Sequence, residues 1–200
     1  MRSLKLASLF MVLGGIALPL ALQAQQPARD DVGVYAAVMR SVLDSTRHEI
    51  VVMSSMTRPS TGSFNRPVWE VLADQGRDST MARDFKDRNA TPLLMPALEM
   101  KGIRTIITED SVIANLGRTV TDRGVRRSTV EEYWEQFRRI FPGAHGYLLF
   151  GGIGYNEEGN EAIVGYSYHC GGLCGNGGVV KLRKMDGKWT IIEQMIGWRA

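Results

Sequence analysis

From Gly146 to the C-terminus the chain runs in alternating apolar segments cut by turn signals, and such a pattern favours an antiparallel meander. Gly146–Asn156 reads as a first strand, with Glu157-Glu158-Gly159-Asn160 as its turn. Glu161–Cys170 reads as the second, and a glycine-rich loop leads on to a third at Val179–Met185. Asp186-Gly187 then supplies a two-residue hairpin signal before Lys188–Trp198, the fourth. In that last strand Trp189, Ile191 and Met195 alternate with Ile192, Ile196 and Trp198, so both faces carry apolar groups. A half-covered sheet with a groove and a sheet buried between helices both fit this pattern.

Upstream the periodicity is helical. Val34, Val38 and Val42, with Tyr35, Met39 and Leu43, predict an amphipathic helix over Asp31–Asp44. Ile50-Val51-Val52-Met53 is short and apolar enough for a buried strand, and Thr57–Ser63 has loop chemistry. Pro67 opens a short helical segment through Val68, Trp69, Val71 and Leu72. A further helix is expected from Ser79 or Thr80 to Arg88, then an irregular packed stretch over 91–102 and a strand over Ile103–Glu109. Residues 110–127 are ambiguous; Val112-Ile113 suits burial, and Arg118, Arg123, Arg126 and Arg127 suit a solvated loop. Ser128-Thr129-Val130-Glu131 reads as a capping box opening a helix that buries Val130, Trp134, Phe137 and Ile140 or Phe141, with Pro142-Gly143 as its stop. The fold expected is α+β: N-terminal helices and short strands, then a capped helix packed on a C-terminal four-stranded antiparallel meander.

The N-terminus carries Arg2 and Lys5 and no acid, then an apolar run from Leu6 to Leu22 that ends in Leu22-Gln23-Ala24. That is the layout of a cleavable signal peptide over 1–24, with one domain over 25–200. Gly14, Gly15 and Pro19 shorten the apolar stretch below the roughly 20 residues a membrane span needs, so no transmembrane segment is expected after cleavage. A periplasmic or secreted location follows. The chain has 24 basic and 21 acidic residues, net +3; without Arg2 and Lys5 the balance is 22 to 21, net +1. A surplus so small and dispersed gives no reason to expect a nucleic-acid partner.

His169-Cys170-Gly171-Gly172-Leu173-Cys174 is the densest chemistry in the chain. Two cysteines four apart on a glycine-rich hairpin in an oxidising compartment should form a disulfide, Cys170–Cys174. A metal half-site of His169, Cys170 and Cys174 lacks a fourth ligand and the two-residue cysteine spacing. A redox or nucleophilic thiol lacks C-x-x-C spacing and a following helix N-terminus. Gly151-Gly152-Ile153-Gly154 and Gly175-Asn176-Gly177-Gly178 precede strand-like residues rather than a helix, so neither matches a phosphate-binding fingerprint. Ser167 and His169 share a strand face but lie outside any G-x-S-x-G elbow. His48, His145 and His169 have no metal-ligand spacing, and Glu131, Glu132 and Glu135 read as the acidic start of a helix. No catalytic residue, metal ligand or cofactor-binding residue is therefore assigned.

Trp134-x-x-Phe137, Phe141-Pro142-Gly143-x-x-Gly146, Ile153-Gly154-Tyr155-Asn156, the Cys170–Gly177 stretch, Lys184-x-Asp186-Gly187-Lys188-Trp189 and Trp198 together resemble an uncharacterised family of exported bacterial proteins. The resemblance covers 134–198 and implies no activity. The helix-then-meander order and the Asp-Gly-Lys-Trp segment are also similar, more weakly, to NTF2-like cone folds, which often hold a small molecule between sheet and helices. The reading favoured by the sequence is a non-enzymatic exported binding or envelope-associated domain, with a small molecule or a protein as ligand. The alternative is a small hydrolase or thiol-dependent enzyme with its site near the cysteine loop.

Overall fold

A computed structural model describes residues 30–43, 49–58 and 79–200. The expected signal peptide, most of the loop after Thr57, the helical segment expected after Pro67, and His48 lie outside the described residues.

Asp30 starts α1 (Asp31–Val42) by accepting a hydrogen bond from the Gly33 amide at 2.9 Å, which satisfies one of the amides a helix start leaves bare. Spacings of three and four then place Val34, Tyr35, Val38 and Met39 on one buried stripe. The same Asp30 carboxylate accepts from Lys184 Nζ at 3.0 Å and Trp189 Nε1 at 3.1 Å. Asp31 accepts from Arg88 at 2.5 Å and from the Tyr155 hydroxyl at 2.9 Å. The helix start is thereby tied to the C-terminal hairpin and to the end of the helix over Ser79–Arg88.

The strands are β1 (Glu49–Ser54), β2 (Ile103–Thr108), β3 (Arg118–Thr121), β4 (Gly124–Arg127), β5 (Gly146–Phe150), β6 (Gly154–Tyr155), β7 (Glu161–Gly171), β8 (Cys174–Met185) and β9 (Lys188–Arg199). Among the described residues, the helices after α1 are α2 (Ser79–Arg88), α3 (Asp110–Asn115) and α4 (Val130–Ile140). One mixed sheet runs β2-β1-β5-β7-β8-β9, with β6 also on β7; β3 and β4 form a separate ribbon. β1 pairs parallel with both β2 and β5, and the remaining pairs are antiparallel. The α+β expectation holds. The short N-terminal strands extend the C-terminal sheet, and β1 is flanked on both edges and covered on both faces. That position explains its unbroken apolar run.

One sheet face buries Val51, Met53, Leu148, Phe150, Ala162, Val164, Val180, Leu182 and Trp189 under α1. On the opposite face Val52 and Tyr147 pack with Ile113, Leu116, Trp134, Phe137 and Phe141 from α3, α4 and their flanks. Further along that face α2 sets Met81, Ala82 and Phe85 against Ile163 and Val179.

Several local expectations shift. The capping box lies one residue on: the Thr129 hydroxyl accepts from the Glu132 amide and Glu132 accepts from the Thr129 amide. Ser128 is engaged elsewhere, with the Leu116 carbonyl and the Thr119 hydroxyl. Val130 and Ile140 are exposed, while Trp134, Phe137 and Phe141 are buried. The expected first meander strand is broken at Gly151–Ile153 into β5 and β6. There the Asn89 side chain bonds Gly152 on both sides, at 2.9 and 3.0 Å, and a Cβ on Gly152 would lie 2.3 Å from the Arg88 carbonyl oxygen. These glycines admit the end of α2. The stretch expected as a glycine-rich loop before Val179 is instead the first half of β8, laddered to both β7 and β9. The Asp186-Gly187 turn forms as expected, with φ of 50° and 74°, the signs a type I′ turn requires.

Candidate functional site

Ser167 and His169 alternate on β7 and so project from the same face, the one carrying α4. Register brings Leu149 opposite Ser167 and Tyr147 opposite His169, and on the other side Gly177 and Gly175. The two glycines leave that face of β8 without side chains there. The Trp198 indole from β9 fills the space: a Cβ on Gly177 would lie 2.6 Å from its Nε1.

His169 is held between two aromatic rings. Tyr147 stacks on it at 4.8 Å with 17° between planes, and Trp198 approaches at 5.3 Å. Its Nε2 lies 2.6 Å from Ser167 Oγ. Burial holds the imidazole below its ordinary pKa of 6.5, so the neutral ring prevails at neutral pH. Tyr147 continues into a wider cluster through Trp134 at 5.9 Å and Tyr133 at 6.2 Å. Burial raises the Tyr133 pKa, and a hydrogen bond with Tyr147 raises it further. Burial also raises Tyr147, against the lowering pull of that bond and of nearby Arg58. Both hydroxyls stay protonated. Arg58 donates to Asp110 at 3.0 Å, and the Ser54 hydroxyl also contacts that carboxylate.

The result is a half-buried strip in which Ser167, neutral His169, Tyr133 and Trp198 surround the buried Tyr147, with a paired Arg58 nearby. Ser167 and His169 have the spacing of a nucleophile and its base. Among the described residues, however, no carboxylate bonds the other imidazole nitrogen, the contact that orients and stabilises an imidazolium in serine hydrolases.

Cys170 and Cys174 end the same hairpin, their Cα atoms 5.1 Å apart and their sulfurs at disulfide distance. Neither is then a free thiolate for a metal or a substrate, and no group of three or more potential ligands gathers among the described residues. His145 is exposed, accepting at Nδ1 from the Ile50 amide at 3.4 Å. Glu132 belongs to the helix cap and pairs with Arg126 at 2.5 Å, while Glu131 and Glu135 are exposed. Strand alternation makes Ser167 and His169 legible as face-mates in the sequence, whereas Tyr147, Tyr133 and Trp198 are not. The available signal was Gly175-x-Gly177: glycines two apart on a strand clear one face for a large neighbouring side chain.

No protein-family model matches the chain, nor does any curated protein or solved structure. No helix among the described residues is long and apolar enough to cross a membrane.

Proposed function

We propose that this protein is an exported, periplasmic or secreted, non-enzymatic binding domain whose ligand rests on the strip formed by Ser167, His169, Tyr147 and Trp198. The observation that carries this reading is the state of His169: neutral, stacked on Tyr147 and lacking a carboxylate among the described residues. Such an imidazole is poorly placed to become the cation that nucleophilic catalysis requires. It is well placed, with the Ser167 and tyrosine hydroxyls, to hydrogen-bond an uncharged small molecule that lays an apolar face on the aromatic rings. The leader pattern and the cysteine pair support export, with the disulfide acting as a clamp on the β7–β8 tip.

NMR tests this reading at the His169 and Trp198 ring NH signals, with methyl glucoside and phenol as neutral probes. Saturable shifts at both residues with one probe at millimolar concentration are expected, and Tyr147→Ala should abolish them. No saturable shift with either probe removes the binding reading. The 2.6 Å Ser167–His169 contact favours a second reading, a hydrolase. A fluorophosphonate that labels the protein, but not a Ser167→Ala variant, would establish that reading instead.

A further inference from the structure

We propose that the end of the molecule formed by the β3–β4 ribbon, the start of α4 and the Cys170–Cys174 tip docks on an anionic lipid bilayer. On the ribbon, directly opposed residues share a face: Arg118 with Arg127, and Val120 with Val125. That face points to solvent, with Val120 79% exposed and both arginines exposed. The other face turns back to the body, where Thr119 meets Ser128 at 2.9 Å and Arg126 pairs with Glu132. Asp122 and Arg123 carry opposite charges near the turn, no acid lies on the ribbon's valine face, and exposed Glu131 stands at the start of α4.

Two features of this end work against an isolated soluble protein. Arg118 and Arg127 are like charges at directly opposed positions, an unfavourable pairing unless an anion lies against both, and neither pairs with a carboxylate among the described residues. Apolar side chains crowd the same end. Leu173, at the apex of the clamped hairpin, is 92% exposed, the most exposed large apolar side chain among the described residues. Val130, also exposed, lies against Gly172, where an added Cβ would be 2.8 Å from its Cγ1. Val130 follows the Ser128-Thr129 segment that anchors the ribbon, so α4 joins the two protrusions into one end.

Apolar tips beside paired arginines match the interfacial region of an anionic bilayer: Leu173, Val120 and Val125 enter the headgroup layer while Arg118 and Arg127 meet lipid phosphates. The disulfide gains a purpose in this arrangement, since it holds Leu173 outward on a tip of five residues.

Co-sedimentation with phosphatidylcholine vesicles, with and without phosphatidylglycerol, tests the proposal. Neutral vesicles report whatever the N-terminal apolar segment contributes, and the gain on adding phosphatidylglycerol reports the arginines. Binding is expected to rise with phosphatidylglycerol and to fall with salt. Arg118→Ser with Arg127→Ser should weaken the anionic-vesicle binding by about 25-fold, about fivefold for each arginine. Leu173→Ser should weaken binding to the anionic vesicles, whereas Leu94→Ser, at an 80% exposed position outside this end, should not. All these positions are exposed, and near-UV circular dichroism verifies the folds. Equal binding to both vesicle types overturns the proposal, as does wild-type binding by the double arginine variant or an equal loss from Leu94→Ser. An oligomer that Leu173→Ser dissociates, without vesicle binding, would assign the surface to a second copy of the chain and also overturn it.

Discussion

Replacing Gly177 by alanine should dislodge Trp198 and loosen the face that carries His169. The added Cβ would lie 2.6 Å from Trp198 Nε1, 2.9 Å from its Cε2 and 2.7 Å from the Tyr166 carbonyl oxygen. The carbonyl belongs to the β7 backbone and is held by the ladder, so the indole must give way. Overpacking of this kind costs about 1–3 kcal/mol. Loss of the Trp198–His169 ring contact at 5.3 Å adds about 0.5–1.5 kcal/mol. Together they predict a loss of about 2–4 kcal/mol, equivalent to roughly 5–15 °C in Tm for a domain of this size. Urea denaturation of Gly177→Ala, Trp198→Ala and the double variant measures it. Once the indole is gone the alanine has less to displace, so the double variant should lose at least about 1 kcal/mol less than the sum of the singles. Near-UV circular dichroism should change in Gly177→Ala while the far-UV spectrum holds. Additive losses, or wild-type stability in Gly177→Ala, would refute the claim that the glycine exists to seat the indole.

Three further outcomes are expected. The hydrogen bond from Arg126, helped by the Thr129 amide, lowers the Glu132 carboxyl from 4.5 to about 2. A depressed acid stabilises the fold above its unfolded value and loses that contribution as pH falls, so Glu132→Gln should flatten the acid limb of stability between pH 4.5 and about 2. Burial depresses His169, so the folded state resists protonation and stability should fall on acidification below 6.5. His169→Asn should remove that part of the pH dependence in denaturation curves taken across this value. Cys170→Ala with Cys174→Ala should cost about 2 kcal/mol, the entropy of so small a loop. Thiol alkylation should leave the wild-type pair unlabelled until reductant is added; labelling before reduction would contradict the clamp.

Features resting on a few neighbouring residues were legible from the sequence. The periodicity of α1, the limits of α2, the Asp186-Gly187 turn and the spacing of Cys170 and Cys174 each follow from chemistry within one or two turns of chain. The helix cap was legible only to within one residue. Ser128 and Thr129 carry equivalent hydroxyls, and the choice fell to contacts of Ser128 with Leu116 and Thr119. Of the two alternatives at the end of α4, Phe141 faces the core and Ile140 faces solvent, as does Val130.

The candidate site was the least legible part. The alternation rule alone puts Ser167 and His169 on one face, but which rings flank them depends on β5 and β9, whose registers are set by pairings up to tens of residues away. Glycines carried the opposite ambiguity. Gly152, Gly154, Gly175 and Gly177 look alike in sequence, yet the first two admit α2 and the last two admit Trp198. An absent side chain records that something must come close without recording what.

The sequence by itself determined the local pieces: helices, hairpin turns, the cysteine pair and the near-neutral charge balance once Arg2 and Lys5 are set aside. Tertiary structure decided where those pieces meet. It placed β1 and β2 parallel in the common sheet, divided the helices between its two faces, stacked Tyr147 and Trp198 on His169, and turned a basic segment into a ribbon with its valines outward. The physical reason is range: turns and caps are satisfied by adjacent residues, whereas strand register and ring packing are selected by the whole sheet at once.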